Sequence, residues 1–277
     1  MWDTQSRGRL TVARPKARKE TAQMRILRIA GGKRTNVQDV IVRESPVTIF
    51  LNDVELVTLM CSPTHLDELA VGFLFTEGVI SGRQDIKSVI ADEDEGVVWM
   101  VTNGRKRSIR DLLSRRLITT GCGRGLSFHD SSEGKKLSVH SRLRVSPGQL
   151  MALMKEFQSR SDLYRLTGGV HSAAVCDRTR VLALREDIGR HSAVDKVLGH
   201  CVLNGLRTDN TILVSSGRIS SEMVIKAARA NIPMIASKSA PTHLGITLAK
   251  EFGITLAGFV RGSRMNVYSN RGRVSGE

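Results

Sequence analysis

Hydrophobic and polar residues alternate in the first third of the chain in the way that β-strands require. Residues 36–60 are rich in Val, Ile and Thr, and Asn52 and Asp53 lie between two apolar runs at a position typical of a hairpin turn. The stretches IKSVI and GVVWMVT, further along the chain, have the same character. This region is therefore predicted to be β-rich.

One helix is predicted between these strands. Apolar residues recur from Leu66 to Leu74 at intervals of three and four, which places them on one helical face. Thr64 is positioned to cap the start of this helix, and Gly78 is positioned to end it. The sequence therefore predicts an amphipathic helix that packs against the strands.

From about residue 145 the pattern changes to strands that alternate with helices. Helical periodicity follows Pro147 and recurs three more times, and six short runs rich in Val, Ile and Ala make up the strands. Such alternation is typical of βαβ units. We predict an α/β fold with a mixed, mostly parallel sheet covered by helices, together with a smaller β-rich N-terminal part.

Composition and charge divide the chain into three parts. The chain has 277 residues, of which 40% are hydrophobic, and this is enough for a sizeable core. Residues 1–34 carry ten Lys and Arg against two acidic residues, and their first part shows no periodicity. We predict a basic disordered tail over residues 1–25, a β-rich part over 26–144 and an α/β domain over 145–277.

The net charge of +15 favours an anionic partner. Aromatic residues make up only 4% of the chain and are not interleaved with the basic ones, so a base-stacking surface for nucleic acid is poorly supported. A small phosphorylated ligand fits the charge equally well. No run approaches the ~20 apolar residues of a membrane span, and the N-terminus lacks the apolar region of a secretory signal. We therefore expect a cytoplasmic protein with no membrane partner.

Four cysteines provide the candidate thiol chemistry. No spacing among them matches a metal site, and no metal is predicted. Cys176 and Cys201 lie in apolar runs and Cys61 follows a strand, so these three are expected to be buried. Cys122 lies between two glycines, which let another molecule approach its sulfur, and Arg124 favours the thiolate. Cys122 is the candidate nucleophile, and an unreactive loop residue is the alternative.

Small residues and cations follow four successive predicted strands. In an open α/β sheet, ligands bind beyond the carboxyl ends of the strands, and helix N-termini there favour phosphate. We therefore predict a nucleotide or pyrophosphate pocket, with solvated basic loops as the alternative. The residues at these strand ends are Arg190, His191, Ser216, Gly217, Arg218, Lys238, Thr242, Arg261, Gly262 and Arg264.

Two histidines, His171 and His191, invite comparison with the zinc deaminase signature H-x-E…P-C-x-x-C. The glutamate position is held by Ala173 and Ala193, and the chain contains no P-C-x-x-C. Metal-dependent deamination is therefore not predicted. Each histidine is either a ligand contact or a structural hydrogen-bonding residue.

Several longer motifs together resemble the FdhD/NarQ family, the formate dehydrogenase accessory sulfurtransferases. They are TGGVHSAAV, REDIGRHSAVDKVLG, SSGRISSEMVIKAARA, SKSAPT and FVRGSRMNVYS, with MCSPTHLDELAVGFLFTEGVI and TTGCG upstream. The resemblance runs from about residue 37 to about residue 270, and several of these blocks are long and specific. The basic tail that precedes it has no counterpart in the resemblance.

The resemblance implies a sulfurtransferase. Family members accept sulfur from a cysteine desulfurase as a cysteine persulfide, which the motif GCGRG places on Cys122. They pass this sulfur to the molybdenum bis(molybdopterin guanine dinucleotide) cofactor, which formate dehydrogenase then receives. The resemblance also implies a cytidine deaminase-like fold and a homodimer.

The family's guanine dinucleotide-binding segment matches FVRGSR near the C-terminus. The residues that this match implies are Phe259, Val260, Arg261, Gly262, Ser263 and Arg264. Together with Ser216, Arg218, Arg190 and His191 at the other strand ends, they form the predicted cofactor site.

The sulfur loop departs from the family pattern at one position. Many members carry C-x-x-C here, whereas this chain has Gly125 at the second cysteine position, so an internal disulfide in this loop is excluded. A chaperone that binds the molybdenum cofactor without moving sulfur is the alternative function. A basic nucleic-acid-binding protein is a third, less supported one.

Overall fold

The computed structural model describes residues 18–103, 116–118, 126–128 and 137–276. Within these ranges the chain builds two packed units, each a sheet with helices against it. Cys122, Arg124 and Gly125 lie outside the described residues.

The N-terminal unit is made of strands and one helix. A hairpin comes first, followed by a four-stranded sheet with strand order β4-β3-β6-β5 and by a short two-stranded pair. The elements are β1 (Thr21–Ala30), β2 (Lys33–Val42), β3 (Ser45–Leu51), β4 (Val54–Cys61), α1 (Leu66–Thr76), β5 (Ile86–Asp92), β6 (Val97–Thr102), β7 (Arg116–Ile118) and β8 (Leu126–Phe128). A single 3-10 turn, Arg83–Asp85, precedes β5.

The C-terminal unit is a six-stranded sheet covered by five helices. Its elements are α2 (Pro147–Arg160), α3 (Asp162–Thr167), β9 (His171–Cys176), β10 (Val181–Asp187), α4 (Arg190–Leu203), β11 (Ile212–Ser215), α5 (Ser221–Arg229), β12 (Met234–Ser237), α6 (His243–Glu251), β13 (Thr255–Arg261) and β14 (Arg264–Ser269). A 3-10 turn at Arg271–Arg273 follows β14.

The central sheet has the strand order β10-β9-β11-β12-β13-β14. The pairs β11–β12 and β12–β13 are parallel, and the three other pairs are antiparallel. The predicted α/β fold, with its mixed sheet and smaller β-rich N-terminal part, is confirmed. The sheet is nevertheless not mostly parallel, since only β11, β12 and β13 pair in parallel. Tight connections make β9–β10 and β13–β14 antiparallel hairpins, and β9 also pairs antiparallel with β11.

Apolar side chains fill both faces of this sheet. One face packs against α4, α5 and α6 through a cluster that includes Val197, Met223 and Phe252. The opposite face packs against α2 through Leu150, Phe157 and their neighbours. With both faces covered, the loops at the ends of the strands are the places where the sheet is open to a ligand.

Two local predictions differ from the structure. Strand β1 begins at Thr21, so residues 21–25 belong to a hairpin and not to the predicted tail, because their backbones pair with β2 from Thr21–Val42 onward. The residue that caps α1 is His65, with a left-handed φ of 55°, and not Thr64. The turn at Asn52 and Asp53 is confirmed, since both residues have the positive φ of a tight hairpin.

No helix among the described residues is both long enough and apolar enough to cross a lipid bilayer.

Candidate functional site

A cavity of about 560 Å³ opens at the edge of the central sheet where β11, β12 and β13 end and β9 begins. Parallel strands that end at one edge leave such a crevice between their loops. The residues that line it are Phe157, Gln158, Ser161, Tyr164, Arg165, Gly168, Gly169, Val170, His171, Ser172, Ile188, Ser216, Lys238, Ser239 and Arg261.

The charged side chains in the described lining of this cavity are all cations. Arg165, Lys238 and Arg261 carry positive charge, and the described lining contains no Asp or Glu. Arg261 is held in place, because its Nε donates to the carbonyl oxygen of Lys238 at 2.9 Å and its guanidinium lies 6.0 Å from the ring centroid of Phe259. An anion is the ligand that this lining suits.

Serine side chains fix the loops that form the floor of the cavity. The Ser237 hydroxyl donates to the carbonyl oxygen of Gly217 at 2.6 Å, and the Ser215 hydroxyl oxygen accepts from the backbone N–H of Gly217 at 3.1 Å. The backbone N–H of Ser239 in turn donates to the Ser237 hydroxyl at 2.9 Å. Small side chains at the ends of β11 and β12 therefore keep the crevice open and rigid.

His171 contacts Ser216 inside the cavity. The Nδ1 atom of His171 lies 3.2 Å from the Ser216 hydroxyl oxygen, which also accepts from the backbone N–H of Ser172 at 3.1 Å. Burial, and then the nearby charges of Arg190 and His191, lower the pKa of His171 below its ordinary value. The imidazole is therefore neutral in the free protein at neutral pH.

Arg190 lies directly behind this pair. It is buried, and its side chain is so close to Gly217 that a Cβ on that glycine would lie 3.0 Å from the Arg190 Cβ. Its Nε has no hydrogen-bond partner among the described residues. A buried guanidinium with an unused donor, next to a glycine that keeps the backbone open, adds to the positive character of this edge.

A buried ion pair holds the loop between β10 and α4. The carboxylate of Asp187 lies 2.6 Å from Nζ of Lys196, and both side chains are fully buried. Ser62 completes the network, because its N–H donates to Asp187 at 3.0 Å and its carbonyl oxygen accepts from Lys196 at 2.9 Å. The start of α4, with Arg190 and His191, is thereby fixed against the N-terminal unit.

The structure brings only part of the predicted site together. Ser216 and Arg261 line the cavity, and Arg190 and Phe259 lie immediately next to lining residues. His191 is directed elsewhere, since its Nε2 lies 3.0 Å from the carboxylate of Glu222 in α5.

The remaining predicted residues lie apart from the lining. Val260 is fully buried in the core that faces α2. Arg218, Gly262, Ser263 and Arg264 are exposed and do not line the cavity. The predicted nucleophile, Cys122, lies outside the described residues.

Helix α3, which forms one wall of the cavity, was not predicted from the sequence. Tyr164 and Arg165 reach the cavity from this six-residue helix. The carboxylate of Glu186 accepts from the backbone N–H groups of Leu163 and Tyr164 at 2.8 and 2.9 Å and so caps the helix. The Gly-Gly pair that follows the helix was the available signal, because Gly168 has the left-handed φ that ends it.

The three described cysteines are poor nucleophiles. Cys61, Cys176 and Cys201 are buried, as predicted, and burial raises the pKa of each thiol to about 12. Within the described part of the chain, no group of three or more His, Cys, Asp and Glu side chains could hold a metal ion. Of the four cysteines in the sequence, only Cys122 is left as a candidate for thiol chemistry.

The cavity has the size and charge to hold a small anionic ligand. Its volume lies in the range of roughly 300–1,000 Å³ typical of pockets for drug-sized ligands. A cofactor with two guanine nucleotides is larger than this. Arg165, Lys238, Arg261 and the Ser216 hydroxyl are the groups that would hold the phosphates.

Comparison with known proteins finds relatives over nearly the whole chain. The model of the FdhD/NarQ family matches residues 42–275. The sulfur carrier protein FdhD of Bacillus subtilis (strain 168) is 42% identical over 258 residues, which are 92% of this chain and 98% of that protein. The sulfur carrier protein FdhD of Listeria innocua is 38% identical over 257 residues, again 92% and 98% of the two chains.

A solved structure has the same fold. The crystal structure described as that of a formate dehydrogenase accessory protein from Desulfotalea psychrophila superposes with a TM-score of 0.76 at 27% sequence identity. The match covers 92% of this chain and 99% of that one. Both units described above therefore belong to one fold that the two proteins share.

Proposed function

Because the chain belongs to the FdhD/NarQ family, we propose that it is a sulfurtransferase that carries sulfur as a persulfide on Cys122. A cysteine desulfurase supplies the sulfur. The acceptor is the molybdenum bis(molybdopterin guanine dinucleotide) cofactor, and formate dehydrogenase is the enzyme that receives it. The setting is the reducing cytoplasm, where free thiols persist.

The cation-lined cavity is the observation that carries the cofactor half of this proposal. Three cations, a neutral histidine and several hydroxyl groups converge on one crevice with no carboxylate in its described lining. Such a site favours the pyrophosphate of a guanine dinucleotide over a neutral ligand. The cofactor is therefore bound as substrate at the edge of the central sheet.

The burial of the other thiols supports Cys122 as the carrier. A thiol with a pKa near 12 is almost wholly protonated at neutral pH, and the thiolate is the form that attacks a persulfide. In the first step, the Cys122 thiolate attacks the outer sulfur of the donor's persulfide. A new S–S bond forms on Cys122, and the donor cysteine leaves as a thiolate.

Release of the sulfur differs from a dithiol relay. Gly125 holds the second cysteine position of the loop, so Cys122 has no neighbouring thiol with which to form a disulfide. In the transfer step the acceptor supplies the electron pair for a new bond to the outer sulfur, the S–S bond breaks, and Cys122 leaves as a thiolate.

A homodimer is also proposed, and the β1–β2 hairpin supports it. Leu27 and Ile29, which share one face of β1, are exposed at 47% and 64%. A two-stranded hairpin is marginally stable alone, so a second copy of the chain that covers this surface would stabilise it. Light scattering on the purified protein would measure the mass expected of two chains, and a monomer at all concentrations would contradict the dimer.

Intact-mass spectrometry tests the carrier. The protein is incubated with a cysteine desulfurase and cysteine, beside Cys122→Ala and the matched control Cys201→Ala. We expect the mass of one added sulfur on the wild type and on Cys201→Ala, removable by a reductant, and none on Cys122→Ala. No added sulfur on the wild type would favour a chaperone that binds the cofactor without sulfur transfer.

A further inference from the structure

The contact between His171 and Ser216 has a hydrogen-bonding arrangement that depends on protonation. The Ser216 hydroxyl oxygen accepts from the N–H of Ser172 at 3.1 Å and lies 3.2 Å from His171 Nδ1. A serine hydroxyl has one hydrogen and two acceptor positions. Because the N–H of Ser172 already occupies one acceptor position of the Ser216 hydroxyl, the protonation state of His171 decides where the hydroxyl hydrogen points.

Two arrangements follow from this count. In the neutral ring with its proton on Nε2, Nδ1 of His171 accepts the hydrogen of Ser216, and that hydrogen is not available to a ligand. When His171 is protonated, Nδ1 donates to the hydroxyl oxygen, whose two acceptor positions are then both filled. The hydrogen of Ser216 must then turn away from His171, toward the cavity that both side chains line.

The surroundings of His171 determine which arrangement is stable. The charged and titratable groups that face it, or that face the same cavity, are Arg190 and His191 from α4, Asp187 and Glu186 from β10, Tyr164 and Arg165 from α3, Lys238 after β12, and Arg261 from β13. Asp187 is already paired with Lys196, and Glu186 caps α3. Cations therefore dominate around His171, and they disfavour its protonated form.

An anion in the cavity reverses this balance. A phosphate held by Arg165, Lys238 and Arg261 in the cavity brings negative charge close to His171, and a nearby negative charge favours the protonated imidazole. The protonated arrangement also gives the ligand one more donor, the hydroxyl of Ser216. Protonation and anion binding thus favour each other.

We propose that binding of a pyrophosphate-containing ligand in this cavity takes up one proton on His171 and turns the Ser216 hydroxyl toward the ligand. The inference rests on the proposed function, which assigns the cavity to the guanine dinucleotide end of the cofactor. It adds that the protein holds this ligand more tightly as the pH falls.

The direction of the pH dependence follows from linkage. Burial and then Arg190 and His191 lower the pKa of His171 in the free protein, and a bound anion raises it. Affinity for the ligand is lowest above the pKa that His171 has in the complex. It rises as the pH falls from that pKa to the lower pKa of His171 in the free protein, and below the lower value it is constant. Each unit by which the ligand raises the pKa strengthens binding about tenfold.

Calorimetry with a ligand of constant charge tests the proposal. The probe is di(guanosine-5′) pyrophosphate, whose phosphates are diesters and lack the second ionisation near pH ~6 of a terminal phosphate. Titrations at several pH values between about 5.5 and 8, in buffers of different ionisation enthalpy, report affinity and proton uptake. We expect affinity to rise about tenfold toward acid pH, with net uptake of a proton.

Variants assign the proton to one residue. His171→Gln should bind with the weak affinity of the high-pH wild type at every pH. Ser216→Ala should lose most of the gain at acid pH. His140→Gln is the matched control, because His140 is exposed, does not line the cavity and is not among the groups that shift the pKa of His171, so this variant should keep the wild-type pH dependence. Dinucleotide binding without pH dependence, or with dependence retained in His171→Gln, would overturn the inference and leave the proposed function intact.

A second measurement on the wild-type protein does not need the dinucleotide. NMR titration of the His171 ring with and without sulfate, an anion of constant charge, should show that sulfate raises the pKa. If the dinucleotide fails to bind and sulfate raises that pKa, the pair is an anion receptor and the guanine dinucleotide is the wrong ligand. If the dinucleotide does not bind and sulfate leaves the pKa of His171 unchanged, both the inference and the ligand assignment are refuted.

Discussion

Gly72 of α1 and Gly199 of α4 meet where the two helices cross, and each leaves room only for the backbone of the other helix. A Cβ on Gly72 would lie 1.8 Å from the carbonyl oxygen of Asp195, and a Cβ on Gly199 would lie 1.8 Å from that of Glu68. Through this contact the N-terminal unit packs against the C-terminal unit. Asp195 of α4, next to this crossing, forms a buried ion pair with Lys226 of α5 at 2.6 Å.

A methyl group at this crossing should therefore weaken the whole fold. Gly72→Ala forces the two helices apart, because the atoms that a Cβ would meet are backbone and cannot rotate away. We expect the free energy of unfolding, measured by urea denaturation, to fall by about 3 kcal/mol. Gly276→Ala, where a Cβ meets nothing within 4 Å, is the control. Equal stability of the two variants would show that the helices separate easily.

The buried pair of Lys196 and Asp187 gives a second prediction. Lys196→Met removes the cation and leaves a fully buried carboxylate with only backbone partners. We expect a loss of about 3–5 kcal/mol in urea denaturation at pH 7. Lys250→Met, on the exposed end of α6, should change stability by less than about 0.5 kcal/mol. A Lys196→Met loss as small as that of the control would contradict this account of the β10–α4 loop.

Glu68 gives a prediction about acid stability. Burial alone would raise the pKa of its carboxyl, but hydrogen bonds from Arg185 and His200 outweigh burial and hold the pKa below its ordinary value. A carboxyl with a depressed pKa in the folded state stabilises the fold above its unfolded pKa, and this contribution is lost as pH falls through the folded pKa.

Glu68→Gln should therefore flatten the decline of stability in acid. Urea denaturation at a series of pH values from about 6 to about 3 should show a smaller pH dependence for Glu68→Gln than for the wild type. Glu251→Gln, on the exposed end of α6, should retain the wild-type slope. An unchanged slope in Glu68→Gln would show that this carboxyl contributes equally in the folded and unfolded chains.

Much of this fold could be predicted from periodicity. The alternation of apolar runs with helical stretches correctly indicated each strand and helix of the C-terminal unit except α3. That helix has six residues, which is less than two turns, and its start depends on Glu186, a residue more than twenty positions away that accepts from its first N–H groups. A contact between residues so far apart along the chain leaves no local pattern in the sequence.

For a similar reason, the sequence could predict only part of the candidate site. The rule that ligands bind at the carboxyl ends of strands selected the loops of Ser216 and Arg261, which line the cavity, but it does not tell which side chain of each loop turns inward. Val260 and Arg264 flank the same turn, yet one is buried in the core and the other is exposed. The pairing of β13 with β14 shifts register between Gly258 and Arg261, where Phe259 has a φ of 52°, and a positive φ at a phenylalanine cannot be predicted from the sequence.

The contrast between Arg261 and Arg264 gives the last prediction. The family motif implies that both contact the cofactor, whereas only Arg261 lines the cavity. Arg261→Ala removes a cation that its bond to Lys238 holds in place, and it should weaken binding of di(guanosine-5′) pyrophosphate about tenfold, since a charge-assisted hydrogen bond contributes about 1.5–3 kcal/mol. Arg264→Ala, with the same loss of charge three residues away, should weaken it less than about twofold at physiological salt. Calorimetry on the two variants separates a local contact from the general attraction of a basic surface. Equal losses would mean that net charge, and not the cavity, binds the ligand.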